Sequence, residues 1–227
     1  MIRTVAATGS TNDDVAALAR EGAPEGLWLR AGRQTGGRGR QGRAWESPPG
    51  NLYASTLVRL RPDDPPAATL ALAAAVALHE ALAPLVPEAR IKWPNDILAD
   101  DGKLGGILLE REGEAIVIGF GVNLAHHPPF LERPAASVAA LAGAAPAPAA
   151  FLERLAASFG RWLERWRSEG LAPIRARWLE AAHPRGTALI TAEGAGQFDG
   201  LEESGALRLR LEDGTVRAIH AGDVFLI

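Results

Sequence analysis

Short stretches of alternating hydrophobic and polar residues predict strands through most of the chain, and longer stretches at helical spacing predict helices between them. The predicted strands cover residues 2–6, 27–31, 51–60, 90–93, 97–99, 104–110 and 115–121. The predicted helices start near residues 11 and 64, and others cover residues 137–141, 151–166 and 174–182. The helix from residue 64 to about residue 83 is apolar almost all round, so we expect it to be buried. These elements predict helices combined with a mixed sheet.

From His183 onward the pattern changes to short strands separated by turns that contain glycine. The predicted strands cover residues 187–192, 197–201, 207–211, 215–220 and 224–227. Five such short strands predict a small β-barrel, which at this size needs support from the rest of the chain. We therefore divide the chain into a larger domain, residues 1–182, and a small C-terminal domain, residues 183–227.

The composition narrows the class of protein. The chain has 227 residues, of which 47% are hydrophobic and 22% charged, so it can bury a core. A net charge of −3 argues against a general nucleic-acid-binding protein. The chain contains no cysteine, which excludes disulfides and a thiol nucleophile. The N-terminus lacks the apolar segment of a signal peptide, and the longest apolar run is too short to span a bilayer. We expect a soluble, cytoplasmic protein that does not bind membranes.

Residues 36–43 form a glycine/arginine loop, with four glycines and three arginines in eight positions. Glycine lets the backbone approach a ligand closely, and guanidinium groups bind carboxylates or phosphates bidentately. The loop lacks the lysine and hydroxyl residue of a P-loop, and residues 44–50 after it cannot form the helix that a dinucleotide fingerprint requires. We expect the loop to bind a small anion.

The two lysines mark a second candidate site. Of the 24 basic residues, 22 are arginine and two are lysine, namely Lys92 and Lys103. A lysine retained in so arginine-rich a chain suggests a site that needs a compact ammonium group. Asn95 and Asp96 place an amide and a carboxylate nearby. The five histidines are scattered, and none has a partner at metal-ligand spacing, which argues against a zinc site.

Taken in order, these segments resemble the biotin–protein ligases. The resemblance rests on Ser10-Thr11-Asn12, on Gln34 with the glycine/arginine loop and Trp45, on residues 92–96 and 103–106, and on residues 121–124. These segments cover residues 8–124, and the small C-terminal domain extends the similarity over nearly the whole chain. Because the chain begins directly at the catalytic strand, it resembles the monofunctional ligases, which have no N-terminal helix-turn-helix domain.

The resemblance implies a two-step reaction. Biotin and Mg-ATP form biotinyl-5′-AMP and pyrophosphate, and a lysine of a biotin carboxyl carrier domain then attacks the mixed anhydride. The residues implied to bind biotin are Ser10, Thr11, Asn12, Gln34, Gly37, Arg38, Lys103, Gly105 and Gly106. The residues implied to bind ATP and the adenylate are Arg38, Arg40, Arg43, Trp45, Lys92, Asn95 and Asn123. The residues implied in catalysis are Lys103, Arg38, Arg40 and Asp96.

The implied roles agree with the chemistry of these side chains. Ser10, Thr11 and Gln34 can bind the ureido ring of biotin, which loses its water on burial. Arg38 and Lys103 can hold the biotin carboxylate against the α-phosphate by offsetting the repulsion between two anions. Trp45 can cover the adenine ring, since its indole is a stacking surface. Asp96 is expected to assist the placement of Mg²⁺ or to activate the incoming lysine, and no metal site made by the protein alone is implied.

The resemblance also implies the fold and the partners. The implied fold class is α/β (α+β): a mixed-sheet catalytic domain related to class II aminoacyl-tRNA synthetases, followed by an SH3-like β-barrel. ATP and Mg²⁺ are the implied co-substrate and activator, and a carboxylase carrier domain is the implied protein partner. Homodimers occur in this family, and no DNA binding is expected of this chain.

Three other functions remain open from the residues. A lipoate or octanoate ligase would use the same adenylation chemistry, although a plain fatty chain does not need the polar partners that a ureido ring requires. A module that senses biotin or a nucleotide without turnover would keep the same binding residues. Nucleic-acid binding through residues 30–43 would show a steep dependence on salt, and the acidic isoelectric point argues against it.

Overall fold

The structure is a computed structural model that describes residues 1–129 and 134–226. Its larger domain is built on a single seven-stranded sheet. The strands are β1 Ile2–Val5, β2 Trp28–Ala31, β3 Leu52–Arg59, β4 Arg90–Lys92, β5 Asp96–Ala99, β6 Gly102–Glu112 and β7 Ala115–Val122. Their order is β1-β2-β3-β7-β6-β5-β4. β1 and β2 pair in parallel, and the other neighbours pair antiparallel. The predicted mixed sheet is therefore confirmed.

The helices lie close to their predicted positions, with one exception. They are α1 Thr11–Arg20, α2 Leu70–Leu82, α3 Val138–Ala142, α4 Pro148–Glu169 and α5 Ala172–Ala181. The prediction that α2 begins at Asp64 is wrong, because a short 3₁₀ turn, Ala67–Thr69, precedes it. The Asp64 carboxylate instead accepts a hydrogen bond from the Arg61 N–H at 3.0 Å and pairs with Arg167 at 3.1 Å. Its side chain therefore stabilises a turn and an ion pair instead of capping a helix.

The two faces of the sheet differ in the size of the side chains that they carry. Successive side chains of a strand point to opposite faces. On β7, one row of side chains packs into the large core under α2 and α4; it consists of Ile116, Ile118, Phe120 and Val122. The other row begins with Ala115 and Val117, which pack with Val15 of α1. Gly119 and Gly121 continue this second row without side chains, and the Asn12 amide and the Trp45 indole lie in the space above them.

The C-terminal residues form a second, antiparallel sheet. Its strands are β8 Ala188–Thr191, β9 Gly194–Leu201, β10 Leu207–Arg210, β11 Val216–Ile219 and β12 Phe225–Leu226. They lie in the order β11-β10-β9-β8-β12. The five predicted strands are confirmed, although Ile227, the end of the last one, lies outside the described residues. Residues 130–133 of the predicted connection between β7 and α4 also lie outside them.

The C-terminal sheet packs directly on the larger sheet's helical layer. The rings of Trp178 and Phe198 lie 6.2 Å apart, and both residues belong to the one large core cluster. The Trp93 indole N–H donates to the Gly205 carbonyl at 3.2 Å. The small sheet therefore has the support that its size requires, and the boundary between residues 182 and 183 stays a prediction. Within residues 1–129 and 134–226, no helix combines the length and apolar character needed to cross a bilayer.

Candidate active site

A cavity of about 790 Å³ lies over the α1 face of the sheet. Its lining combines segments that are far apart in the sequence: the start of α1, the glycine/arginine loop, the β4–β5 hairpin, β6, β7 and residues 223–226. Gly119 and Gly121 form part of its floor, where the absence of side chains leaves room for the Asn12 amide and the Trp45 indole. The cavity is large enough for a small-molecule ligand.

Asp96 lies between the two lysines on the lining of this cavity. In the β4–β5 ladder Lys92 is directly opposite Asp96, and Lys103 is brought close by the pairing of β5 with β6. The Lys103 Nζ is 2.6 Å from Asp96 Oδ1, and the Lys92 Nζ is 3.5 Å from Asp96 Oδ2. Two ammonium groups share one buried carboxylate, so this cluster carries an excess positive charge that attracts an anion.

The first half of the glycine/arginine loop, which contains Arg38, is held by the larger domain. The Arg38 guanidinium lies between Asp13 of α1 and Glu110 of β6, at 2.7 Å and 3.0 Å. The hydrogen bonds from Arg38 lower the pKa of Asp13, although partial burial opposes the change. The hydrogen bond to Asp13 and then that to Glu110 raise the pKa of Arg38, so the guanidinium stays charged.

The second half of the loop, which contains Arg40 and Arg43, is held in part by the C-terminal domain. Arg40 donates to the Gly222 carbonyl at 3.1 Å and lies 3.6 Å from the Asp223 carboxylate. Arg43 donates to the same carboxylate. Arg40 also donates to Asn95 Oδ1 at 3.3 Å. Because both arginines and Asp223 line the cavity, a bound anion can reach these guanidinium groups.

Polar residues at the start of α1 form a buried network beside the loop. Gln34 Oε1 accepts a hydrogen bond from the Thr11 backbone N–H at 2.8 Å and lies 3.1 Å from the Thr11 hydroxyl oxygen. The Thr11 and Ser55 hydroxyl oxygens are 2.7 Å apart, and Ser55 donates to Asn12 Oδ1 at 2.6 Å. Ser10 is buried at the N-cap of α1, but its side chain makes no capping hydrogen bond. Several polar groups therefore line the cavity in fixed orientations.

Trp45 closes the end of the loop against the floor of the cavity. A Cβ added to Gly121 would lie 2.7 Å from Trp45 Cε2, so the indole packs directly on the β7 backbone. The Lys103 Nζ lies 5.4 Å from the centre of the indole ring, within the range of a cation–π contact. The buried indole N–H has no hydrogen-bond acceptor within the described residues.

The side-chain amides of Asn95 and Asn123 stabilise the strands next to Lys103. Asn95 donates to the Ile107 carbonyl at 2.6 Å, and Asn123 donates to the Lys103 carbonyl at 3.1 Å. Both side chains belong to residues that line the cavity. Their predicted contact with the nucleotide stays a prediction, and their structural contacts explain why amides suit these positions.

The structure brings nearly all of the predicted site residues to one place. Each of them lines the cavity except Gly37 and Gly105, which the sequence analysis had assigned to biotin binding. A Cβ on Gly37 would lie 2.6 Å from the Trp45 carbonyl oxygen, and one on Gly105 would lie 3.0 Å from the Gly121 carbonyl oxygen. These two glycines permit close packing of the backbone, and their predicted contact with biotin stays a prediction.

Sequence reasoning missed four residues of this arrangement: Asp13, Ser55, Glu110 and Asp223. Each contacts a predicted site residue that is at least 25 positions away in the chain. Asp13 and Glu110 occur in segments that read as an ordinary helix and strand. No local pattern marked them, because their role depends on partners that only folding brings together.

Two family descriptions match the chain. The biotin/lipoate A/B protein ligase family matches residues 6–123, and the biotin protein ligase C-terminal domain matches residues 192–227. A biotin–[acetyl-CoA-carboxylase] ligase of Paracoccus denitrificans is 43% identical, over 97% of this chain and 98% of that protein. The bifunctional ligase/repressor BirA of Bacillus subtilis is 33% identical, over 96% of this chain and 71% of that protein.

Solved structures agree in fold. The biotin protein ligase from Aquifex aeolicus in complex with biotin and ATP has a TM-score of 0.88 at 24% identity, over 100% of this chain and 98% of that one. The ligase from Leishmania major in complex with biotinyl-5-AMP has a TM-score of 0.71 at 23% identity, over 97% and 98% of the two chains. The predicted fold class, a mixed-sheet catalytic domain followed by a small barrel, is confirmed.

Proposed function

The chain belongs to the biotin/lipoate A/B protein ligase family, and from this membership we propose that it attaches biotin to a carrier protein. It activates biotin with ATP to biotinyl-5′-AMP, releases pyrophosphate, and transfers the biotinyl group to a lysine of a biotin carboxyl carrier domain. One observation carries the proposal: a single cavity combines excess positive charge with a network of fixed polar groups. Such a cavity suits a ligand that has an anionic end and a polar ring.

The lysine cluster is where the biotin carboxylate meets the α-phosphate of ATP. These two anions repel each other, and Lys103 with Lys92 offsets that repulsion at the moment the new bond forms. Asp96 holds the Lys103 ammonium at 2.6 Å and so fixes its position. Because ATP supplies the free energy that drives formation of the adenylate, the protein contributes position and charge and needs no nucleophile of its own.

Arg40 and Arg43 hold the phosphates, and Trp45 covers the adenine ring. The two guanidinium groups lie on the same cavity wall, 3.6 Å or less from one carboxylate, and so define a place for an anion. Trp45 lies beside Lys103, so the base and the reacting phosphate are neighbours. Asn95 and Asn123 complete the nucleotide side of the cavity.

Ser10, Thr11 and Gln34 bind the ureido ring of biotin. The Thr11 backbone N–H already holds Gln34 Oε1 at 2.8 Å, so the Gln34 amide keeps one orientation. A fixed polar wall lowers the cost of burying the ureido ring, whereas a fatty chain has no polar group to pair with it. This feature favours biotin over lipoate or octanoate.

Magnesium enters with ATP as the Mg-ATP substrate. Within the described ranges, 1–129 and 134–226, no three acidic or histidine side chains lie close enough to hold a metal ion together. Asp96 does not fit as a metal ligand, since two ammonium groups already flank its carboxylate. The protein's part is therefore to bind the phosphates that carry the ion, and activation of the incoming lysine remains the proposed second role of Asp96.

The remaining expectations concern partners and location. The expected acceptor is a carrier domain of a carboxylase, the expected location is the cytoplasm, and the homodimer is the assembly to be tested. The net charge of −3 argues against DNA binding. Light scattering of the purified protein and binding to duplex DNA at two salt concentrations test the last two expectations.

Pyrophosphate exchange tests the proposal most directly. Labelled pyrophosphate is incubated with the protein, ATP and Mg²⁺, and biotin, octanoate or lipoate is added in separate reactions. We expect label to enter ATP with biotin alone. Transfer is then followed as the mass gained by a carrier domain, with a carrier domain whose acceptor lysine is replaced by arginine as the control.

Each other outcome identifies a different function. Exchange with octanoate or lipoate instead of biotin would move the protein to the lipoate branch of its family. Biotin binding without exchange would indicate the sensing module. If the protein shows no biotin binding and no exchange, the proposal is contradicted.

A further inference from the structure

The Arg38 guanidinium is enclosed by two carboxylates. Nη1 and Nη2 donate to the two oxygens of Asp13 at 2.7 Å and 2.5 Å. Nε and Nη2 donate to Glu110 Oε1 at 3.3 Å and 3.0 Å, and Nη2 also reaches Oε2 at 3.2 Å. All three nitrogens of Arg38 are thus engaged by carboxylates.

This arrangement is unsuited to binding a further anion. One positive and two negative charges leave the group with an excess negative charge, in contrast to the lysine cluster around Asp96. To hold a carboxylate or phosphate of a ligand, Arg38 would have to release an acid that already holds it bidentately. Asp13 and Glu110 do not line the cavity, so both act through Arg38 instead of touching a ligand.

Glu110 also connects the loop to the polar network of the cavity. Its Oε2 accepts a hydrogen bond from Asn12 Nδ2 at 2.6 Å, and Asn12 Oδ1 accepts one from Ser55 at 2.6 Å. Because Ser55 donates its only hydroxyl hydrogen to Asn12, the Thr11 hydroxyl at 2.7 Å is the donor to Ser55, and the Thr11 backbone N–H donates to Gln34 Oε1 at 2.8 Å. A continuous chain of hydrogen bonds therefore runs from Arg38 to the residues assigned to the ureido ring.

Gly119 makes this connection possible. A Cβ at this position would collide with the Asn12 amide, so a side chain on β7 would displace the residue that links Glu110 to Ser55. Asn12 itself is buried, and both the NH₂ group and the carbonyl oxygen of its side-chain amide take part in the network. Its contribution is to transmit position from Glu110 to Thr11.

We propose that Asp13 and Glu110 are positioning residues, which anchor the first half of the glycine/arginine loop through Arg38 and align the biotin pocket through Asn12. The loop contact is independent of the proposed function, whereas the effect on biotin rests on it. Arg38 on this account is the anchor of the loop, and the anions of the substrates are held by Lys103, Arg40 and Arg43.

Replacing Glu110 by glutamine tests the anchor without removing volume. Glutamine has one acceptor oxygen, and its NH₂ group would face either Arg38 or Asn12, both of which are donors. The matched control is Glu112→Gln on the same strand, where the carboxylate pairs with Arg20 at 2.7 Å outside the cavity. Equal melting temperatures of the two variants establish that E110Q folds.

The first measurement uses the protein without any ligand. Trypsin cleaves after Arg38, Arg40 and Arg43, and neither substitution changes these sites. We expect E110Q to be cleaved within the loop about tenfold faster than the parent, because charge-assisted hydrogen bonds hold the loop closed. Cleavage of E112Q should match the parent. Equal rates for E110Q and E112Q would overturn the anchor, whatever the enzyme's substrate.

The second measurement is the steady-state adenylation rate. We expect the KM for biotin to rise about tenfold in E110Q, with the KM for ATP within about twofold of the parent, since the second half of the loop keeps its own partners. If Arg38 instead binds the biotin carboxylate, E110Q frees it and the KM for biotin falls. A fall would overturn the proposal, and an inactive parent would contradict the proposed function alone.

Arg38→Lys supplies an independent variant. A lysine keeps the charge but cannot bridge two carboxylates with a planar fork. We expect its KM for biotin to rise as in E110Q, and the double variant to be no worse than either single one. Parent-like kinetics of R38K, or additive effects in the double variant, would contradict a shared role of Arg38 and Glu110.

Discussion

The two halves of the glycine/arginine loop look alike in sequence, yet different parts of the molecule hold them. Arg38 in the first half is bound by Asp13 and Glu110 of the larger domain. Arg40 and Arg43 in the second half are bound to Asp223 of the C-terminal domain. The loop is therefore anchored at one end inside its own domain and at the other end across a domain boundary.

The partners also differ in their access to the cavity. Asp223 lines the cavity, whereas Asp13 and Glu110 do not. A ligand anion can therefore compete with Asp223 for Arg40 and Arg43, but it reaches Arg38 only by displacing acids that lie outside the cavity. The role of each arginine therefore depends on its acid partner. Arg38 anchors the loop, whereas Arg40 and Arg43 can exchange the Asp223 carboxylate for a substrate phosphate.

The largest effect on the rate of adenylation is expected at Lys103, which belongs to neither half of the loop. It is the effect with which changes in either half are compared. Lys103→Arg should lower the rate of adenylation about a hundredfold, although the charge is kept. The ammonium fits between Asp96 and Gly106, where an added Cβ on Gly106 would lie only 3.1 Å from the Nζ, so a wider guanidinium must shift. Single-turnover formation of the adenylate measures the change. A rate within about threefold of the parent would show that charge alone suffices at this position.

A smaller effect is expected when the second half loses its internal acid. Asp223→Asn keeps the shape and one acceptor but removes the negative charge near the phosphate site, so the KM for ATP should fall about threefold at low salt. The control is Asp199→Asn, since Asp199 also bridges two arginines, Arg208 and Arg210, each at 3.0 Å and away from the cavity. A rise in the KM for ATP would mean instead that Asp223 positions Arg40 and Arg43. The acids that bind the two halves of the loop would then have the same role.

The smallest effect concerns pH and the first half alone. Hydrogen bonds from Arg38 lower the pKa of Asp13, so its carboxylate stays ionised below the ordinary value of about 4. The stabilisation it gives is present above the unfolded pKa and is lost only as pH falls through the lower, folded pKa. Amide exchange of the loop, corrected for intrinsic rates, should therefore differ between the parent and Asp13→Asn by the same factor from pH 7 to pH 4.

Asp14→Asn provides the control for that experiment, because Asp14 lies in the same first turn of α1 and affects the helix dipole equally. Its loop exchange should match the parent at every pH. A difference between the parent and D13N that disappears by pH 5 would contradict a lowered pKa of Asp13.

Much of the fold followed from local patterns. The strand positions, the start of α1 at Thr11 and the five short C-terminal strands were predicted, because alternation and turn residues report on neighbours in the chain. The start of α2 was mispredicted at Asp64, whose acidic side chain and following prolines imitate a helix cap. In the structure the Asp64 carboxylate instead forms an ion pair with Arg167, which is distant in the sequence.

The candidate site divides in the same way. Unusual residues such as the two lysines and the clustered glycines and arginines were visible in the sequence, and the structure places them around one cavity. Gly37 and Gly105 permit close packing of the backbone, and their assignment to biotin binding stays a prediction. Glu110 gave no signal at all, because a glutamate near the end of a strand is ordinary until its partners are known.

By itself, the sequence determined the chemical groups of the site, the order of the elements and the resemblance to a family that the comparisons then established. Tertiary structure decided which acid each arginine meets: Asp13, Glu110 and Asp223 lie 25, 72 and 180 residues from their partners. The physical reason is that propensity and periodicity act over a few residues, whereas ion pairs and buried hydrogen bonds form between groups that become neighbours only when the sheet has closed and both domains have packed together.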